Sequence, residues 1–218
     1  GNAMATTNDT IFFVSGIDTD VGKSVATGWL AKRWQDEGLS IITQKLVQTG
    51  SDRGSPDIAL HRRLMGRHFL EDDEGLTAPA VYTYPCSPHL ACELDHKTLP
   101  LETILQATQT LSDRYERVLV EGAGGIMVPL TRSLLTIDLI AKQKWPLIFV
   151  TSGKLGSISQ TLLALEAVKT RGIQLHTLIF NDWHNHPDDV IDRDTFGYFA
   201  EFLKNQWPEA ALLRCPRL

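Results

Sequence analysis

Cysteine is scarce in this chain: Cys86, Cys92 and Cys215 are the only three, an odd number, widely spread and without a CxxC pair. That supports neither a disulfide framework nor a zinc site, and makes reduced thiols in the cytoplasm the expectation. Positive charge is not in excess either. The 21 Lys and Arg against 26 Asp and Glu leave a formal net charge of −5, which argues against an overall electrostatic grip on nucleic acid or an anionic membrane. No apolar run approaches the ~18 residues of a membrane span, and Gly1-Asn2-Ala3-Met4 lacks the basic and apolar regions of a signal peptide. Residues 1–3 read as a cloning scar before Met4. Internal repeats, low-complexity tracts and linkers are also missing.

What is present is a globular composition, 43% hydrophobic and 22% charged, in 218 residues. At about 150 residues per domain this favours a single domain over 4–218. Short β-branched runs alternate with longer periodic stretches. Strands are expected at Ile11–Val14, Ser40–Lys45, Arg117–Glu121, Leu147–Thr151, Leu175–Phe180 and, more weakly patterned, Ala211–Arg214. Helices are expected over 24–37, 57–65, 101–114, 134–143, 158–171 and 194–206, the first with Val25, Trp29, Leu30 and Trp34 near one face. The strands are almost continuously hydrophobic, as parallel strands buried on both faces are. The fold class is therefore α/β, a doubly wound, mainly parallel sheet with helices on both faces. The stretches 46–56 and 75–100, rich in Gly, Ser and Pro, read as long loops, and long loops in compact domains are often functional.

The first strand runs into Gly16-Ile17-Asp18-Thr19-Asp20-Val21-Gly22-Lys23-Ser24. Gly22 lets backbone N–H groups approach phosphate oxygens, Lys23 supplies a cation, Ser24 offers a hydroxyl to magnesium, and the helix opening there adds its positive dipole end. Five residues rather than four separate the glycines. The setting, strand before and amphipathic helix after, is the one a P-loop requires. A second signal is Val118-Leu119-Val120-Glu121-Gly122-Ala123-Gly124-Gly125, where a carboxylate ends an apolar strand. Ligands of doubly wound sheets bind along that edge, within reach of a magnesium ion at Ser24.

Together, Gly-x-Asp-Thr-x-Val-Gly-Lys-Ser and Val-Glu-Gly-Ala-Gly-Gly resemble the dethiobiotin synthetase family. Lys45–Gly50, Ser55-Pro56-Asp57, Ser87-Pro88-His89, Val128-Pro129-Leu130, Lys154-Leu155-Gly156 and Asn181-Asp182 extend the resemblance, in order, over nearly the whole chain. The resemblance implies an ATP- and Mg2+-dependent cyclo-ligase of biotin biosynthesis, acting on small molecules as a homodimer. It implies capture of CO2 by 7,8-diaminononanoate as a carbamate. The carbamate attacks the γ-phosphate, and the second amine closes the urea ring on the mixed anhydride, giving dethiobiotin, ADP and phosphate.

Carried onto matching positions, it implies catalytic roles for Lys23, Lys45 and Thr19. The nucleotide would be held by Asp20, Val21, Gly22, Lys23, Ser24, Val25, Asp57, Glu121, Gly122, Ala123, Gly124, Asn181, Asp182 and Pro216. Substrate would meet Thr19, Lys45, Thr49, Leu155, Gly156 and Ser157, the last three across a dimer interface. Metal would fall to Ser24, Asp57 and Glu121, an oxygen-only set suited to magnesium. Plainer readings stand beside these: Asp20 as a helix cap, Thr49 and Asn181 as turn residues, Lys45 as a surface strand-end lysine, and Asp57 as a charge suited to a helix start. Leu46 stands where the family commonly has proline, and the chain ends near a base contact where many members continue, which leaves strict ATP preference open.

Several features are set aside: Trp183-His184-Asn185-His186 as solvated, Asp72, Asp73 and Glu74 as a solvated loop face, Trp29 and Trp34 as core, and His89 as either a turn residue or part of the substrate loop. Two rival readings lack the residues they need. A regulatory nucleotide switch of the partitioning-ATPase type would carry an early loop lysine that Ile17-Asp18-Thr19 lacks. An amidotransferase-type synthetase would need a glutaminase domain for which 218 residues leave no room.

Overall fold

The computed structural model describes residues 9–184 and 187–218, without the side chain of His184. The cloning-scar expectation for residues 1–3 and the Asn185 and His186 part of the histidine loop lie outside the described residues. Six strands form one sheet: β1 (Ile11–Gly16), β2 (Ile41–Lys45), β3 (Arg117–Glu121), β6 (Leu147–Ser152), β7 (Leu175–Asn181) and β8 (Ala211–Cys215). Their order is β2-β3-β1-β6-β7-β8, and every pairing is parallel. Two short strands, β4 (Pro129–Thr131) and β5 (Leu134–Leu135), make a separate antiparallel hairpin.

The helices are α1 (Lys23–Asp36), α2 (Pro56–Met65), α3 (Leu70–Asp73), α4 (Pro88–Leu94), α5 (Leu101–Arg114), α6 (Thr136–Gln143), α7 (Ser157–Thr170) and α8 (Asp189–Gln206). All five residues of β2 and all six of β6 are buried, so these strands are covered on both faces, as continuous hydrophobic runs require. Phe12, Phe13, Phe149, Phe180 and Phe199 fill the core.

Several sequence expectations need correction. The stripe of α1 is rotated: Ala26, Leu30, Ala31 and Trp34 are buried while Val25 and Trp29 are only partly so. Residues 134–135 extend as β5 rather than starting a helix. Helix α8 begins at Asp189, not Asp194, because the Asp188 carboxylate accepts hydrogen bonds from the Val190 and Ile191 amides and satisfies an added first turn. Asp72 is not a solvated loop residue: it lies in α3 and accepts from both Arg62 Nε and Nη2, at 2.8 Å each, and from Thr77 Oγ1. The 75–100 stretch contains α4 and a parallel bridge between Gln48 and Val81.

Strand order positions the site. β1 sits between β3 and β6, and the chain crosses from one side of it to the other, so loops diverge at the carboxyl ends of β1 and β3 and leave a crevice. Register brings Val14 beside Glu121 and Lys45 beside Glu121, which sets the ends of β1, β3 and β2 in a row.

Candidate active site

The loop leaving β1 turns into α1 through Gly22, whose φ of 85° is left-handed. A Cβ there would collide with Asn181 Nδ2. Glycine is therefore demanded twice, by conformation and by close approach. No side chain caps α1, so its first amides stand without helical partners where the loop opens. Asp20 does not cap the helix. It is exposed, and its own amide donates to Asp18 Oδ1, closing an Asx turn inside the loop.

Thr19, Gly22, Lys23, Ser24, Val25, Lys45, Gln48, Thr49, Asp57, Glu121, Ala123 and Gly124 surround a cavity of about 260 Å3. Eleven of these twelve were named from sequence, Gln48 being the exception. An adjoining cavity of about 420 Å3 shares Thr19, Thr49, Ala123 and Gly124 and extends to Pro85, Ser87, Pro88 and Val128. His89 faces elsewhere, toward a small cavity beside Cys92 and Glu93, and so does not line this one. A larger cavity, about 720 Å3 between α2 and residues 75–81, contains none of the strand-end groups.

Glu121 is the centre of the polar arrangement. It is 1% exposed, yet accepts from Ser24 Oγ at 2.8 Å, Lys45 Nζ at 3.0 Å and His61 Nε2 at 2.7 Å. Burial works against its charge, but Lys45, His61 and Lys23 outweigh it and hold the carboxyl well below the usual carboxylate range. Lys45 is also buried. Its Nζ lies 2.7 Å from Asp57 Oδ2 and donates to the Gly122 carbonyl at 3.0 Å. Burial opposes its charge too, while Glu121 and Asp57 more than compensate and raise its proton affinity above that of a free lysine. Lys45 is thus no surface lysine. Lys23 differs, since burial leads and lowers its pKa; its ammonium donates to the Asp18 carbonyl at 3.2 Å.

Asp57 begins a helix and also faces the cavity. Ser55 caps α2 by accepting from the Ile58 amide, Pro56 occupies the first turn, and Asp57 follows there with its carboxylate on Lys45. Among the described residues no cluster of three or more His, Cys, Asp or Glu has metal-holding geometry. The donor chemistry still fits magnesium, with one hydroxyl and two carboxylates beside a phosphate loop, an ion that keeps waters and takes phosphate oxygens.

Other sequence-named residues stand outside this cavity. The Asn181 amide is fully buried and donates to the Val21 and Gly22 carbonyls at 3.0 and 3.3 Å, so it braces the loop. Asp182 accepts from Arg214 Nε, and Pro216 is exposed just beyond Cys215, the register partner of Asn181. Gly156 opens α7 in a left-handed conformation without a side-chain cap, and Leu155 is 86% exposed. Ser157 is buried as a whole, its hydroxyl against that of Ser152 and its amide donating to the Lys154 carbonyl at 3.0 Å. Leu155, Gly156 and Ser157 line neither site cavity of the single chain. His61 was missed. Its signal was spacing, one helical turn after Asp57, which puts both on the face of α2 toward the strand ends.

A family model described as an AAA domain matches residues 10–206. An ATP-dependent dethiobiotin synthetase BioD 2 of Pasteurella multocida is 42% identical over 199 residues, covering 91% of this chain and 93% of the relative. A Haemophilus influenzae protein of the same name is 47% identical over 174 residues, covering 79% and 91%. The chain belongs to the dethiobiotin synthetase family. As a member it is a carbon–nitrogen ligase of biotin biosynthesis, a nucleotide-using enzyme with small-molecule substrates. Solved structures add fold alone. The kinase domain of Escherichia coli tyrosine kinase ETK superposes with a TM-score of 0.55 at 16% identity, covering 86% of this chain and 72% of the other. Among the described residues no helix of this synthetase is long and apolar enough to cross a membrane.

Proposed function

We propose that this synthetase closes the ureido ring of dethiobiotin from 7,8-diaminononanoate, CO2 and ATP in the cavity between the phosphate loop and the ends of β2 and β3. The observation that carries the site assignment is the convergence of Ser24, Lys45, Asp57 and Glu121 beside the uncapped start of α1. The chemistry sets two anions, a carbamate and a triphosphate, against each other, so fixed cations must offset their repulsion before the reacting atoms can meet. Lys23 and the free amides of α1 take the phosphates. Lys45, held charged by its carboxylate neighbours, faces the carbamate with Thr19 and Thr49 beside it. The purine lies toward the ends of β7 and β8, where Asn181, Asp182 and Pro216 sit together.

Ser24, Asp57 and Glu121 would hold Mg2+, which when bound supplies charge neutralisation on the phosphates. An amine nitrogen bonds to CO2 and loses a proton to give the carbamate. Its oxygen bonds to the γ-phosphorus as the bond to ADP breaks. The second amine then bonds to the carbonyl carbon and loses a proton as phosphate leaves. The side chains named position and neutralise, and none forms a covalent bond to substrate.

The start of α7, which no side chain caps and where Leu155 stands exposed at the tip, supports a homodimer in which Leu155, Gly156 and Ser157 take the distal carboxylate of a substrate bound to the partner subunit. Free Cys86, Cys92 and Cys215 support a reducing cytoplasmic setting. The deciding experiment supplies the protein with ATP, Mg2+, bicarbonate and diaminononanoate and follows dethiobiotin by mass. Product is expected. Its absence from protein that still binds ATP overturns the substrate assignment.

A further inference from the structure

Behind the cavity runs a buried chain of side chains that neither catalysis nor nucleotide binding has so far used. Arg62 Nη1 donates to Thr43 Oγ1 at 2.9 Å, Thr43 Oγ1 lies 2.7 Å from His61 Nδ1, and His61 Nε2 lies 2.7 Å from Glu121 Oε1. His61 is 0% exposed and does not itself line the cavity, standing behind the lining residue Glu121. Its neighbours fix the hydrogen positions. Arg62 can only donate, so the Thr43 oxygen accepts from it; the charged Glu121 can only accept, so the imidazole hydrogen belongs on Nε2. Nδ1 then accepts from the Thr43 hydroxyl, and all three bonds point one way, toward Glu121. Arg62 is itself anchored, by both Asp72 oxygens and by the Thr43 carbonyl.

The two oxygens of Glu121 therefore do different work. Oε1 is claimed by His61 from behind, while Oε2 meets Ser24 and Lys45 on the cavity side. A carboxylate held by one oxygen cannot rotate about its terminal torsion, which is otherwise soft. We propose that His61 is a positioning residue: through Nε2–H it locks the Glu121 carboxylate so that Oε2 alone is presented, together with Ser24 Oγ, to the divalent cation of the nucleotide. This rests on the reading of Ser24, Asp57 and Glu121 as metal ligands. Partners behind a ligating group orient it and are often worth about 10–100-fold in metal affinity.

The test uses Mn2+ as the probe in the presence of ADP, with free Mn2+ followed by electron paramagnetic resonance, so that no turnover is needed. His61→Leu removes both ring nitrogens and is expected to weaken Mn2+ binding about 10–100-fold. His61→Gln can still donate to Glu121 and accept from Thr43, and is expected to restore most of that affinity. In turnover the Leu variant should need correspondingly more Mg2+ for half-maximal rate, while the KM for the diamine changes little. Thr43→Val, nearly isosteric, guards against a Leu variant that does not fold; it should weaken Mn2+ binding in the same direction with the melting profile of a folded protein. Wild-type Mn2+ affinity in a folded His61→Leu protein, or equal losses in Leu and Gln, overturns the role of His61. A wild-type protein whose ADP complex binds no Mn2+, or a Glu121→Gln variant that binds it as well as wild type, overturns the underlying ligand reading instead.

Discussion

Two lysines share one cavity and are built for different work. Lys23 follows the left-handed Gly22 at the start of α1 and its ammonium donates to a loop carbonyl, whereas Lys45 is held between two carboxylates. Lys23→Ala should therefore lose nucleotide affinity and phosphate release together, the latter by roughly 100-fold or more, as removal of a preorganised charge-stabilising group does. Lys45→Ala should retain ADP binding and lose turnover. Because that change strands two carboxylates, Lys45→Gln, which keeps a donor toward Glu121, is the cleaner variant. Calorimetric ADP binding beside phosphate release separates the two roles, and equal loss of affinity in both variants would contradict them.

These lysines were legible in sequence because each sits at a recognisable place, the end of a motif or of a hydrophobic strand. His61 was not. A histidine in a helix carries no sign of what its ring meets until α2 is laid against the strand ends.

At the scale of elements, the phosphate loop is braced from β7. Asn181, two strands away from β1 in the sheet, donates to the loop carbonyls of Val21 and Gly22, and a side chain at Gly22 would strike that amide. Gly22→Ala combines a left-handed backbone, costing about 1–2 kcal/mol for a residue with a Cβ, with displacement of Asn181. Nucleotide affinity should fall and the denaturant midpoint should drop together, as read by ADP titration and urea unfolding. An unchanged midpoint would mean that the loop is not braced in this way.

Strand and helix identities followed from hydrophobic period, but boundaries shifted wherever a local side chain satisfied backbone groups, as Asp188 does for α8. The acidic stretch 72–74 misled because acidity alone suggests solvent. Arg62, brought in by α2, turns Asp72 into an anchor.

At the scale of the whole molecule, stability carries a pH signature outside the active site. His176 packs edge-on against Phe12 and Trp34, with ring centroids 5.0 and 6.0 Å away. Burial first, and the Arg117 charge second, lower its pKa from the usual 6.5 to about 4. The unfolded chain therefore binds a proton that the folded chain refuses in this window. The stability in question is fully present above pH 6.5 and is lost as pH falls toward about 4. Melting temperature should decline across that window in wild type and decline less in His176→Gln, by calorimetry at several pH values; parallel declines would remove His176 from the account. Assembly is tested at the same scale: light scattering should give the mass of a dimer, and a monomeric mass would leave the start of α7 without the shared role proposed for it.

The sequence by itself determined the α/β class, the parallel sheet, the phosphate loop and the family. These depend on local period and on short contiguous motifs whose backbone geometry needs particular residues. It determined the cast of the cavity as well, since Lys45 and Glu121 end strands, and strand ends in a doubly wound sheet meet at one edge. Only the tertiary structure decided how those groups are wired. The register of β2 against β3 puts Lys45 beside Glu121, the packing of α2 puts His61 behind that carboxylate, and β7 puts Asn181 beneath the loop. Each is a contact between residues far apart in the chain, set by how elements pack, and the local pattern along the chain carries no record of it.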